Sequence, residues 1–170
     1  MRGCSLQGDV VELGSGSGAM GAAMLRRSRA VRLTLTDVDS AMLAAAAWRV
    51  SSAPRATVVA ADATRLPFHD RSLDVVVSYL MLHHVIAWEA AVAEAGRVLR
   101  PGGLFLGYGL VESRVTQGLH WLDGSPHRLI GPGQLESVLA AAGFGQTSVQ
   151  YKFKQMVRFT ASTSGRQERS

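Results

Sequence analysis

The sequence predicts a doubly wound α/β sheet. Short β-branched runs alternate with helix-forming stretches along most of its length. The runs are apolar on both faces, as parallel strands covered by helices on each side must be. The first run also breaks directly into glycines that open a helix, "VVELGSGSG" at 10–18.

The elements follow in order. "DVVEL" (Asp9–Leu13) is a buried strand. "GAMGAAMLRR" after it is a helix with Met20, Met24 and Leu25 on one stripe. "VRLTLTD" (Val31–Asp37) alternates as a strand does. Ser40 is read as the N-cap of the helix "AMLAAAAWRV", which "SSAPR" breaks. "ATVVAAD" (Ala56–Asp62) and "SLDVVVSY" (Ser72–Tyr79) are the third and fourth strands. "AWEAAVAEAGRVLR" (Ala87–Arg100) is a helix closed by "PGG" at 101–103, and "LFLGYGLV" (Leu104–Val111) is the fifth strand. Two glycines in that strand imply that something packs close to it. "GPGQLESVLAAAGF" (Gly131–Phe144) is a helix with Pro132 near its start and Gly143 at its C-terminus. Gln146–Ala161 reads as a hairpin turning near Lys152–Lys154, placing an antiparallel strand in the sheet. One domain spans 1–161, and 162–170 is a polar tail. Residues 112–130 form one long irregular stretch, a length that usually carries function.

Composition narrows the classes. With 170 residues, 47% hydrophobic and 18% charged, the chain can bury a full core. No apolar run approaches the ~20 residues of a membrane span, and the start lacks a secretory signal, so a cytoplasmic location is expected. The single cysteine, Cys4, excludes an internal disulfide framework, and no metal-ligand cluster is expected. The charge of +5 invites a nucleic-acid partner. Only Lys152 and Lys154 of the 18 basic residues are lysine, and the arginines are scattered beyond "RRSR" (Arg26, Arg27, Arg29). That pattern is read as a solvated surface of biased composition, not a nucleic-acid face.

The chemistry gathers at strand ends. Gly14, Gly16 and Gly18 make a floor without side chains, where backbone N–H groups face a carboxylate or phosphate. The same residues match the dinucleotide pattern Gly16-x-Gly18-x-x-Gly21, and also a close helix–strand crossing without a ligand. Asp37, 19 residues after Gly18, ends the second strand, where a carboxylate can accept both hydroxyls of an adenosine ribose. Asp39 competes for that role. Asp62 ends the third strand, where it can accept from an adenine amine while the Ala63 N–H faces a ring nitrogen. Ligands of open α/β sheets bind at such carboxyl ends.

Four ordered stretches, "VVELGSGSG", "LTDVDSAML", "ADATRLPFHDRSLDVVVSYLMLHHV" and "RVLRPGGLFL", resemble the Rossmann-like class I methyltransferases that use S-adenosylmethionine. They are most similar to the type 11 small-molecule branch, over roughly residues 8–112. The resemblance implies a mostly parallel seven-stranded sheet with an antiparallel C-terminal strand, in a three-layer αβα sandwich. It implies that Glu12 meets the methionine ammonium, and that Gly14, Ser15, Gly16 and Gly18 line the methionine moiety. Asp37 would hold the ribose, Val38 would pack on adenine, and Asp62 and Ala63 would read its edge. Ser78 and Tyr79 would lie near the sulfonium and the acceptor. Glu12, just before the glycine run, suits an ammonium and would repel a pyrophosphate, which favours S-adenosylmethionine over NAD.

The expected function is methyl transfer to a small-molecule acceptor at oxygen, nitrogen or carbon. The alternatives are a non-catalytic cofactor-binding or partner subunit, and an NAD-dependent oxidoreductase. No catalytic residue is assigned. His83, His84, His120 and His127 are base candidates, with packing or capping as the competing reading for the first two; His120 and His127, with Trp121, are also candidates to line an acceptor pocket. Met20, Met24, Met42 and Met81 are expected in the core, and Asp74 is expected to be structural. The family's helices before the first strand are reduced or absent here. The lid is then missing, supplied by a second copy or another partner chain, or lost because the given sequence starts late.

Overall fold

The computed structural model describes residues 6–111, 128–131, 133–152 and 156–165. Seven strands form one sheet in the order β3-β2-β1-β4-β5-β7-β6. They are β1 (Gly8–Leu13), β2 (Val31–Asp37), β3 (Ala56–Ala60), β4 (Leu73–Tyr79), β5 (Leu99–Leu110), β6 (Phe144–Lys152) and β7 (Met156–Thr163). The pairs β1–β2, β1–β4, β2–β3 and β4–β5 are parallel, while β7 runs antiparallel to both β5 and β6. The chain order reverses at β1, which lies between β2 and β4, so the ends of β1 and β4 border the switch-point crevice.

Among the described residues four α-helices flank the sheet: α1 (Ala19–Arg27), α2 (Ser40–Arg49), α3 (Trp88–Val98) and α4 (Gln134–Ala141). Two cores result. On one face Val10, Leu33, Leu35, Val75 and Val77 pack with Met24, Leu25 and Ala46 of α1 and α2. On the other face Val76, Phe105 and Phe159 pack with Trp88, Val92, Leu135 and Leu139 of α3 and α4. Val11 and Val76 are completely buried, which accounts for runs apolar on both sides.

Several boundaries differ from expectation. The cap of α2 is Asp39, not Ser40: its Oδ1 accepts from the N–H groups of Ala41 (2.7 Å) and Met42 (3.3 Å). Aspartate competes well for this place because its charge also favours a helix N-terminus. The third strand ends at Ala60, and Asp62 sits in the following turn, bridged to Arg65. α3 ends at Val98, and "PGG" lies inside β5, where the β4 pairing shifts register. Gly102 there takes a φ of 79° that other residues resist. α4 is shorter than the apolar pattern, and Phe144 opens β6 with its ring near Phe105 (5.8 Å between centroids). β7 runs on through Ser162 and Thr163, and the Thr163 hydroxyl donates to the Arg100 carbonyl.

Met24 and Met81 are buried as expected, but Met20 and Met42 are exposed. Asp74 is structural as expected. It pairs with Arg100 at 2.6 Å and accepts the Asp9 N–H at 2.7 Å, tying β1, β4 and β5 at their starts. No helix of the described residues is long and apolar enough to cross a membrane.

Candidate functional site

The glycine loop is stapled to the end of β2. The Ser15 N–H donates to the Thr36 carbonyl (2.8 Å), and the Gly16 N–H donates to Asp37 Oδ2 (2.8 Å). The Thr36 hydroxyl donates to the Glu12 carbonyl (2.8 Å). Gly14, Gly16 and Gly18 have φ values of 57°, 52° and 75°, so the loop advances through the left-handed region at alternate residues. Their surroundings differ. A Cβ on Gly14 would run into Met81, and one on Gly18 would press on Ala46 at 3.1 Å. A Cβ on Gly16 would meet nothing within 4 Å. Two of the glycines serve packing, and the middle one faces open space.

Three buried polar atoms beside this loop have no hydrogen-bond partner among the described residues: Glu12 Oε2, Ser15 Oγ and Ser78 Oγ. Sheet pairing sets Leu13 opposite Ser78 and Glu12 opposite Val77, so the ends of β1 and β4 bring them together. Buried polar atoms left unpaired are costly, and such a trio could hold the polar end of a ligand. Glu12 is 2% exposed, and burial pushes its carboxyl up to about 7, against a lowering contribution from the Gly21 N–H. Gly21 is required there, because its Cβ would lie 2.8 Å from Glu12 Oε2 and collide with Leu35.

Asp37 is occupied on both oxygens, since its Oδ1 accepts the Asp39 N–H at 3.0 Å. A carboxylate has about four lone-pair directions, so each oxygen retains capacity for a further donor. Val38, beside it, is 75% exposed, an apolar side chain held in the open at the crevice rim. Asp62 Oδ1 accepts both the N–H and the hydroxyl of Thr64 at 2.8 Å, fixing the turn after β3. Ala63 is buried next to it.

Tyr79 ends β4 with its ring 5.2 Å from that of Tyr108. Burial, then the nearby Glu12 and Tyr108, push its phenol up to about 12, so it remains a donor at neutral pH. His83 and His84 stand in a single 3-10 turn, Leu82–His84, with rings 4.2 Å apart. His83 is buried, and its carbonyl accepts the Arg128 N–H at 2.8 Å. His120, Trp121 and His127 lie outside the described residues.

Sequence reasoning passed over Thr36, noted Gly21 only within the glycine pattern, and read Gly107 as one of two strand glycines with something packed close; all three shape the site. A Cβ on Gly107 would strike the Ser78 carbonyl, so this glycine lets β5 pass close behind β4. The only signal for it was a glycine in an otherwise continuous strand.

Comparison with known proteins agrees with this geometry. A family model described as a methyltransferase domain matches residues 11–107. Over 114 residues the chain is 39% identical to a malonyl-[acyl-carrier protein] O-methyltransferase of Marinomonas sp. (strain MWYL1), covering 66% of this chain and 40% of the relative. Over 101 residues it is 34% identical to the ubiquinone/menaquinone biosynthesis C-methyltransferase UbiE of Bartonella tribocorum, covering 57% and 39%. The matches thus span about two fifths of these relatives' length. The fold superposes on Haemonchus contortus phosphoethanolamine N-methyltransferase 2, solved with phosphomonomethylethanolamine and S-adenosylhomocysteine. The TM-score is 0.82 at 16% identity, over 96% of this chain and 50% of that one. The glycine loop, the strand-end carboxylates and the matched span together place this chain in the methyltransferase-domain family of S-adenosylmethionine-dependent proteins.

Proposed function

We propose that the chain binds S-adenosylmethionine at the ends of β1, β2 and β4 and transfers its methyl group to a small-molecule acceptor. One observation supports this most directly: buried, unpartnered Glu12 Oε2, Ser15 Oγ and Ser78 Oγ stand beside the open space in front of Gly16. That set suits a ligand end bearing an ammonium and a carboxylate. Glu12 would accept from the ammonium, Gly14, Ser15, Gly16 and Gly18 would line the amino-acid end, and Ser15 would donate its hydroxyl. Asp37 would accept from the ribose hydroxyls while continuing to brace Gly16. Val38 would cover one adenine face, and Asp62 and the Ala63 N–H would read its edge. Ser78 and Tyr79 would stand near the transferred group.

S-adenosylmethionine supplies a methyl carbon already activated by its sulfonium. The protein's task is alignment and exclusion of water. Tyr79 contributes as an apolar wall and a hydrogen-bond donor, since its phenol does not ionise near neutral pH. The two relatives identified by sequence are an O- and a C-methyltransferase, which favours oxygen or carbon as the accepting atom. A buried carboxylate at the end of β1 opposes a pyrophosphate and disfavours NAD.

Titration calorimetry tests the reading. S-adenosylhomocysteine should bind and raise the melting temperature, and NAD should do neither. Absence of heat with both the methyl donor and its demethylated product would defeat it. Turnover with a panel of phenolic and carboxylic acceptors then separates an enzyme from a binding subunit.

A further inference from the structure

We propose that the acceptor is a flat, largely apolar molecule carrying one negative charge, held in a groove over β4, β5 and β7 beside the cofactor site. The inference rests on the methyl-transfer reading above, which it extends to a substrate class. A groove of about 430 Å³ opens there, within the range of small-molecule sites. Its wall runs from Met20, in the first turn of α1, to Tyr79 at the end of β4, so it begins where the glycine loop ends. Tyr108 and Leu106 of β5 continue it, with Lys152 and Arg158 on the far side.

Three features define the occupant. The tilted pair Tyr79–Tyr108 presents aromatic surface next to Leu106 and Met20, which suits a planar apolar body. Met20 is 41% exposed, an apolar side chain at the mouth of the groove with no core to fill. The charge is one-sided: among the described residues that line the groove, Lys152 and Arg158 contribute cations and none is acidic. Elsewhere the arginines near carboxylates are neutralised, Arg32 by Asp9, Arg97 by Glu94 and Asp70, Arg100 by Asp74 and Arg128 by Glu89. Among the described residues no carboxylate lies within ion-pair distance of Lys152 or Arg158. Arg158 is half-buried and lines the groove with Tyr79, Leu106 and Phe159. An anion bound there would meet charge-assisted donors, and an ammonium would be repelled.

The probes are 2-naphthoate and its neutral counterpart 2-naphthamide, titrated by fluorescence into the full chain at low salt with S-adenosylhomocysteine saturating. Naphthoate should bind about tenfold more tightly than naphthamide, the effect of one charge-assisted contact. Arg158→Gln should reduce that preference, and Arg158→Gln with Lys152→Gln should abolish it while S-adenosylhomocysteine affinity is retained. Equal affinity for the two probes, no naphthoate binding to protein that binds S-adenosylhomocysteine, or a preference that survives the double substitution would each overturn the proposal. A chain that prefers naphthoate but does not bind S-adenosylhomocysteine would retain the anion groove and refute the methyl-transfer reading instead.

Discussion

Replacing Glu12 by glutamine should make the free protein more stable and the cofactor complex weaker. Burial lifts the Glu12 carboxyl from 4.5 to about 7. At about 1.4 kcal/mol for each pH unit, that gap corresponds to about 3 kcal/mol. Between these values the folded chain holds a proton that the unfolded chain has lost. Stability therefore falls as pH rises through the window, and the full cost is present above 7. Glutamine has nearly the shape of the protonated acid and cannot ionise. Wild type and Glu12→Gln should melt together near pH 4, and at pH 8 the variant should melt higher by on the order of 10 °C. Binding shows the opposite sign. An ammonium needs the ionised carboxylate, so wild-type affinity for S-adenosylhomocysteine should be about tenfold weaker at pH 6 than at pH 8. The variant should bind more weakly at pH 8 and lose this dependence. Melting curves and calorimetry at these pH values check both arms. A variant less stable than wild type at pH 8 would mean that the carboxylate has a partner in the free protein, and the assignment of Glu12 to a ligand would fall.

Gly16→Asn should fold, because asparagine tolerates the φ of 52°, yet its side chain would fill the space in front of the loop. S-adenosylhomocysteine affinity should drop by about a hundredfold or more, the effect of overfilling a site; unchanged calorimetric affinity would show that the space is not the cradle. Asp37→Asn turns one acceptor into a donor facing the Gly16 N–H or the Asp39 N–H. It should cost about 1–3 kcal/mol of stability and weaken binding about tenfold or more. Full affinity in a folded Asp37→Asn would remove the ribose assignment. Gly107→Ala pushes a methyl into the Ser78 carbonyl and should lower the urea unfolding free energy by about 1–3 kcal/mol; an unchanged midpoint would mean that β5 shifts freely.

Elements whose burial is two-sided were the most legible. β1, β2 and β4 follow their apolar runs to within a residue, because each side chain on either face has a core to enter. Short-range competition decided the rest. Asp39 outranks Ser40 as a cap through its position and charge, which a preference scale that rates serine and aspartate alike does not resolve. "PGG" reads as a helix stop, but the helix has already ended at Val98 and these residues lie inside β5. That the strand begins before it, at Leu99, depends on pairing with Leu73, a contact between distant residues. Met20 and Met42 satisfy a helical stripe, but both are exposed. At the site, spacing offered Gly16 and Asp37 as candidates and the family resemblance offered Glu12. The unpartnered state of Glu12, Ser15 and Ser78 was not, since it depends on the pairing of β1 with β4.

Asp37 shows why the structural and the ligand-binding readings of such a residue are not rivals. A carboxylate at a strand end finds backbone donors readily, and here it takes one on each oxygen. The Gly16 bond crosses from β2 to the loop after β1, so the group expected to hold a ribose also sets the loop that forms the floor of the site. A ligand hydroxyl arriving at the remaining lone pairs meets an anion already fixed in place and loses little to reorganisation. Glu12 follows the opposite design, with burial supplied by the fold and the pairing donor left to come from outside. The two acids therefore predict different failures on substitution. Loss of Asp37 should weaken both loop and ligand, whereas loss of the Glu12 charge should relieve the fold and harm only the ligand. A stability gain at Glu12 together with a loss at Asp37, measured on the same day in the same buffer, would distinguish a preorganised binding site from an accidental cluster of polar strand ends.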